Sequence, residues 1–261
     1  NNLGLNFIKP KKSLGQRFLT DKNIAKKIIE SLKPKTKNVL EIGPGTGVLT
    51  SYLIKKNYNL ILVEIDHESV DFLINSLLVD EKIIIKKDFL KLDLPVLFSG
   101  KNFSIIGNFP YNISSQIIFK IIENKQFVSD MCGMFQLEVA KRICERPGSK
   151  VYGILSVLTQ VFFETNFLFT VSKNLFYPVP NVESAVISLK RKENFHLECN
   201  ELLFFRVVKL SFQQRRKKIR NGLKTLNLSN NLREDAIFDK RPEQLSVNDF
   251  IRLTCSIEND I

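Results

Sequence analysis

Val39-Leu40-Glu41-Ile42-Gly43-Pro44-Gly45-Thr46-Gly47 is a short apolar run that ends in three glycines set two residues apart. The run has the length and branching of a strand, and the residues after it (48–56) read as a helix. Leu60-Ile61-Leu62-Val63 repeats the pattern as the next strand, followed by a helix near 68–78. Ile83-Ile84-Ile85 and Ile105-Ile106 carry it further. Continuous β-branched runs alternating with helices predict a buried, mostly parallel sheet. The expected class is therefore α/β and Rossmann-like.

Outward from this stretch, Asp21 is placed to cap a helix reaching residue 32, with Ile24, Ile28, Ile29 and Leu32 at helical spacing and Pro34 to end it. Later strands are expected near 131–135, 165–171 and 185–189. After Leu189 the texture changes to a charge run, Lys190-Arg191-Lys192-Glu193, and then to helical patterning with few strand candidates. Leu202, Phe205, Val208, Leu210 and Phe212 suggest one amphipathic helix. A second, over 216–226, would carry the basic run Arg215-Arg216-Lys217-Lys218. The expected division is an α/β domain over 1–190 and a small helical domain over 191–261.

The 261 residues leave room for one such domain and a small appendage. No apolar stretch approaches the ~20 residues of a membrane helix, and residues 1–12 lack the apolar core of a secretory signal. Four scattered cysteines (Cys132, Cys144, Cys199, Cys255) and two histidines form no spaced metal or disulfide pattern. They suggest buried thiols, no metal, and a cytoplasmic protein. The formal charge of +12 favours polyanions, although abundant Lys, Asn, Ile and Phe also follow from an AT-rich genome.

Glycines where a first strand turns into its helix let the backbone approach a ligand, beside free N–H groups at the helix start. The spacing Gly-x-Gly-x-Gly differs from the dinucleotide pattern Gly-x-Gly-x-x-Gly. Glu64 ends the second strand, where an acid can take both ribose hydroxyls. Asp88 follows the third, placed to accept from an adenine amino group, and Asn108 ends the fourth. Polar residues at four successive strand ends mark the crevice in which open α/β sheets bind ligands. In Asn108-Phe109-Pro110-Tyr111, the Asn side-chain carbonyl and the next backbone carbonyl can each accept one hydrogen of a planar amino group. Pro110 fixes its own φ and removes a donor. Tyr111 offers a face for a nucleobase. By itself the tetrapeptide reads first as a β-turn after a strand. Together with the glycine loop it points to S-adenosylmethionine and methyl transfer to an amino nitrogen.

The chain resembles the ribosomal RNA adenine dimethyltransferases that modify small-subunit RNA, over almost its whole length. The resemblance rests on Lys12-Ser13-Leu14-Gly15-Gln16-Arg17-Phe18-Leu19, on the glycine loop, and on Asn108-Phe109-Pro110-Tyr111-Asn112-Ile113-Ser114. It continues through Met134-Phe135-Gln136-Leu137-Glu138-Val139-Ala140-Lys141-Arg142 and Pro147-Gly148-Ser149-Lys150-Val151-Tyr152-Gly153. Pro178-Val179-Pro180-Asn181-Val182-Glu183-Ser184-Ala185-Val186 and Phe212-Gln213-Gln214-Arg215-Arg216-Lys217 complete it. It implies a class I S-adenosylmethionine-dependent methyltransferase domain with a small C-terminal helical domain, a monomer acting on an immature small ribosomal subunit. It implies cofactor contacts from Arg17, Leu19, Gly43, Gly45, Glu64, Asp88 and Asn108. Catalysis would fall to Asn108, Phe109, Pro110 and Tyr111, with a second stacking aromatic unidentified. RNA would be held by Lys9, Lys11, Lys12 and Arg17, and by Arg215, Arg216, Lys217, Lys218 and Arg220. Two positions depart from the family: 17 is usually Asn or His, and 109 is usually Leu. Two alternatives stay open. One is a large-subunit RNA adenine methyltransferase conferring antibiotic resistance, the other a non-catalytic nucleic-acid-binding factor on the same fold.

Overall fold

A computed structural model describes residues 8–261; residues 1–7, part of the stretch read above for a leader, lie outside the described residues. Nine strands occur among the described residues: β1 (Phe18–Leu19), β2 (Asn38–Ile42), β3 (Asn59–Val63), β4 (Ile84–Ile85), β5 (Phe103–Asn108), β6 (Val128–Gln136), β7 (Phe163–Val171), β8 (Phe176–Tyr177) and β9 (Ser184–Arg191). Seven of them form one sheet in the order β4-β3-β2-β5-β6-β9-β7, while β1 and β8 pair as a separate antiparallel ribbon. The pairs from β4 to β6 are parallel and β9 runs antiparallel to β6. Parallel strands need crossovers and cover on both faces. Accordingly Val39, Leu40, Leu62, Ile105 and Ile106 are all buried.

The helices associated with this sheet are α1 (Lys22–Ser31), α2 (Thr50–Leu53), α3 (His67–Leu77), α4 (Leu94–Leu97), α5 (Ser114–Glu123) and α6 (Leu137–Cys144). Asp21 caps α1 as its position predicts, accepting from Ile24 N at 2.8 Å. The helix expected over 48–56 shrinks to α2. Turns occupy 45–49 and 54–55 instead, because the glycine loop bends the chain before any regular helix begins. Of the run at 83–85 only Ile84 and Ile85 pair as strand, since a 3-10 turn takes Ile83.

The chain divides into two compact units. The first runs to Ala140 and resumes over Asn166–Arg191; the second comprises Lys141–Thr165 and Lys192–Ile261. Residues 141–165, kept with the α/β domain in the sequence reading, therefore pack with the C-terminal helices. Their hydrophobic content is the cause: Tyr152, Val157 and Phe162 are buried in that unit. It contains α7 (Ile154–Gln160), α8 (Glu201–Gln213), α9 (Ile219–Gly222), α10 (Asn230–Arg233) and α11 (Val247–Asp260). Its core gathers Phe204, Val208, Ile219, Phe238, Phe250 and Ile257.

The second helix expected over 216–226 is a correction. The chain turns at 214–218 and α9 starts only at Ile219, with a 3-10 turn after it. Gly222 makes this possible, because a Cβ there would lie 2.4 Å from the Leu210 carbonyl of α8. The basic run thus sits in a turn rather than on a helix face.

Candidate active site

A cleft opens at the carboxyl ends of β2, β3 and β5. Gly43, Gly45, Glu64, Asn108, Phe109, Pro110, Arg17 and Leu19 all line it, so most of the residues singled out from the sequence meet at one place. Its floor is the glycine loop. Gly45 has φ +54°, and a Cβ there would come within 2.9 Å of the Phe18 ring, so both backbone shape and space require glycine. Gly45 N donates to Glu64 Oε2 at 3.0 Å, and Asp66 N donates to Glu64 Oε1 at 2.9 Å. Glu64 is 5% exposed, and burial raises its carboxyl above the ordinary range against the pull of these backbone donors. Each of its oxygens keeps a second lone pair for a ligand hydroxyl.

Glu41, two residues ahead of Gly43, has no role that the sequence pattern assigns. It lines the cleft, is buried, and accepts from Thr50 Oγ1 at 2.8 Å. Burial first, and the neighbouring Glu64 charge in addition, push its carboxyl up to about 8. The cleft floor is therefore less negative near neutral pH than a count of its acids indicates.

Asn108 ends β5 with its side-chain amide fixed: Nδ2 donates to the Arg17 carbonyl at 2.8 Å. That bond fixes the orientation of the amide, with Oδ1 as its acceptor. Phe109 N donates to Met134 O at 3.2 Å, anchoring the tetrapeptide to β6. The Phe109 ring is 1% exposed and packs on Phe135 with centroids 4.8 Å apart. It occupies a slot left by Gly107 and Gly133, which face each other across β5 and β6; a Cβ on Gly133 would lie 2.0 Å from Phe109 Cε2. The Phe at this position is thus absorbed by the sheet. Tyr111 is half-buried and hydrogen-bonds through its hydroxyl to Ser184 Oγ at the start of β9. Burial raises its phenol, opposed by the bond to Ser184. Ser184 was visible only as a member of a longer motif. An aromatic partner for Tyr111 was left unidentified; Tyr177, 56% exposed and paired with Phe18 in the β1–β8 ribbon, is an open ring in the same unit.

Other expected residues fall outside the cleft. Asp88 is not among its lining residues; Oδ1 caps the following turn by accepting from Leu90 N at 2.9 Å. Lys120 Nζ ties that turn down through the Leu90 and Leu92 carbonyls at 2.8 and 2.6 Å. Lys11 pairs with Asp66, and with Glu68 at 3.1 Å, so its charge is engaged within the protein. In the C-terminal unit Arg215 Nη2 donates to the Ser149 and Tyr152 carbonyls at 3.2 and 2.8 Å. Lys218 and Arg220 both reach Asp239 at 2.8 Å. Arg216 and Lys217 are exposed, as are Lys9 and Lys12.

Comparison with known proteins agrees with this geometry. The family model for ribosomal RNA adenine dimethylase matches residues 8–258. The ribosomal RNA small subunit methyltransferase A of Flavobacterium johnsoniae is 58% identical over 255 residues, covering 97% of both chains. A dimethyladenosine transferase from Plasmodium falciparum superposes with a TM-score of 0.80 at 26% identity, over 93% of this chain and 98% of that one. The 23S rRNA methyltransferase ErmE shares the fold at a TM-score of 0.64 and 24% identity, over 96% of this chain and all of its own. With a match that spans nearly every residue, the chain belongs to the ribosomal RNA adenine dimethylase family.

Proposed function

We propose that the protein transfers methyl groups from S-adenosylmethionine to the exocyclic 6-amino groups of adenosines in small-subunit ribosomal RNA, two methyls per base and two adjacent bases. The observation that carries this reading is the fixed amide of Asn108. With Nδ2 held by the Arg17 carbonyl, Oδ1 and the Phe109 carbonyl are two acceptors for the two hydrogens of one amino group.

The cleft fits the donor. Gly43 and Gly45 would let it approach the loop backbone and Glu64 would accept from its ribose hydroxyls; Asp88, outside the cleft lining, would offer Oδ2 to its adenine amino group, since Oδ1 holds the turn. Arg17 and Leu19 also line the cleft. When bound, S-adenosylmethionine supplies an already activated sulfonium methyl. The protein's part is alignment. An adenine amino nitrogen is a weak nucleophile because its lone pair is delocalised, and two acceptors draw the group toward tetrahedral geometry and aim that lone pair. They also stabilise the positive charge that develops on nitrogen. The proton leaves after transfer, so no dedicated base is required.

Tyr111 stacks on the extruded base, with its hydroxyl held by Ser184, and Tyr177 is the second aromatic face. Stacking of ~1–3 kcal/mol per base offsets the few kcal/mol of unstacking. The exposed cations Lys12, Arg216 and Lys217 hold phosphates, and the partner is an immature small ribosomal subunit acted on by a monomer in the cytoplasm. Incubating the protein with labelled S-adenosylmethionine and small subunits from cells lacking the modification, then mapping the label, tests this. Two adjacent dimethylated adenosines are expected; small-subunit RNA that stays unlabelled, with label entering large-subunit RNA in a parallel incubation with large subunits, would overturn it.

A further inference from the structure

Residues 14–19 form an unbroken strap along one wall of the cleft. Its two ends are held differently. The C-terminal end is held by backbone: β1 pairs with β8, and Thr20 N donates to Leu175 O at 2.9 Å. Over 11–16, among the described residues, the ties to the rest of the unit run through side chains. Asn112 Nδ2 donates to Ser13 O at 3.3 Å, Gln16 Nε2 donates to Asp66 Oδ2 at 2.9 Å, and Lys11 Nζ binds Asp66 Oδ1.

Asp66 sits just before α3, is 2% exposed and is not among the cleft's lining residues. It also accepts from Ser69 Oγ at 3.0 Å, while Gln16 Oε1 accepts from Lys11 N at 2.7 Å, closing a ring of bonds. Burial would raise the Asp66 carboxyl, but the bonds from Lys11, Gln16 and Ser69 outweigh it and hold it below the usual carboxylate range. An ionised carboxylate with three donors is a strong anchor. A ligand in the cleft lies against the strap, and dimethylation needs that ligand replaced between transfers. The side-chain-held half is the part that can lift.

We propose that Asp66 is a positioning residue that latches the strap through Lys11 and Gln16, and so sets how long the cofactor is retained between methyl transfers. This rests on the cofactor site proposed above. It also assigns Lys11 to the latch rather than to RNA.

The test is the dissociation rate of S-adenosylhomocysteine from the full chain and from Asp66→Asn, Lys11→Ala, Gln16→Ala and the Asp66→Asn/Lys11→Ala double variant. Dissociation is expected to quicken about tenfold in Asp66→Asn and Lys11→Ala, corresponding to ~1.4 kcal/mol, and less in Gln16→Ala. The double variant should be no faster than Asp66→Asn by more than about twofold, because both changes open one latch. In Asp66→Asn and Lys11→Ala, altered outside the cleft lining, the cofactor KM should rise while single-turnover methyl transfer at saturation holds, a split that a general loss of folding does not produce. Should Asp66→Asn fail to fold, the Lys11 and Gln16 variants, altered at partly exposed positions, decide the matter. Wild-type protein that binds no S-adenosylhomocysteine sinks the cofactor site itself. Wild-type binding with unchanged rates in the variants overturns the latch alone. A shallower salt dependence of RNA binding in Lys11→Ala would assign Lys11 to phosphate and overturn it too.

Discussion

At Asn108 the Arg17 carbonyl engages the amide nitrogen, which fixes the side chain with Oδ1 as its acceptor. Since only the backbone of residue 17 takes part in that bond, an Arg there in place of the family's Asn or His leaves it intact. Asn108→Ala removes the acceptor from the reacting amino group, and methyl transfer should fall ~100-fold or more, as for other preorganised polar groups of an active site. The dissociation constant for S-adenosylhomocysteine should move less than about tenfold, since Gly45 and Glu64 remain; equal losses in both would assign Asn108 to cofactor binding alone. Glu41 carries a second residue-scale prediction. Its folded carboxyl titrates at about 8 against 4.5 for the free side chain. The native state therefore holds a proton that the unfolded chain gives up, so the contribution is complete below 4.5 and is lost as pH rises toward 8. Glu41→Gln keeps an acceptor for Thr50 and removes the titration. Its urea midpoint should decline less than the wild type's across that interval. Parallel profiles would place the titration elsewhere.

At the scale of the element, β5 and β6 shape the Phe109 slot by what they omit. Gly133→Ala should destabilise the protein by ~1–3 kcal/mol, because its methyl group meets the Phe109 ring and the ring must leave its place. Phe109→Leu combined with Gly133→Ala should recover part of that loss, giving a favourable coupling energy in a denaturation cycle. Gly107→Ala should not be rescued in the same way, since its Cβ also meets the Ile42 carbonyl at 2.7 Å and no change of side chain moves backbone. If the two glycines respond alike, the slot does not belong to Phe109. The strands themselves were legible because buried parallel strands are written as uninterrupted branched runs such as Leu60-Ile61-Leu62-Val63. The turn at 214–218 was not. Arg, Lys and Gln favour helix locally, and what ends α8 there is the close approach of Gly222 to Leu210, a contact between residues twelve apart.

For the molecule as a whole, the cleft was legible for the same reason as the sheet: in a parallel α/β fold the strand ends converge, so Gly43, Glu64 and Asn108 come together by topology alone. Charge is different. The sequence shows a net +12 and a run of four cations, but which of them faces solvent depends on pairing that no local pattern encodes. Arg215 spans two carbonyls of the 149–152 segment, and Lys218 and Arg220 share Asp239. Arg216 and Lys217 remain as the cations of the run that are exposed and, among the described residues, have no acidic partner. Exposed cations on phosphate release counterions, at a slope of about 0.7–0.9 per contact in a plot of log affinity against log salt. Arg216→Ala/Lys217→Ala should therefore flatten that plot for small-subunit RNA by about 1.5 while leaving the denaturation midpoint close to the wild type's. Arg215→Ala should do the opposite. It leaves the Ser149 and Tyr152 carbonyls without their donor, so the midpoint should drop by the equivalent of ~1–3 kcal/mol with little change in slope. A steeper loss of salt dependence in Arg215→Ala than in the Arg216/Lys217 double variant would show that the guanidinium leaves its carbonyls for phosphate when RNA binds.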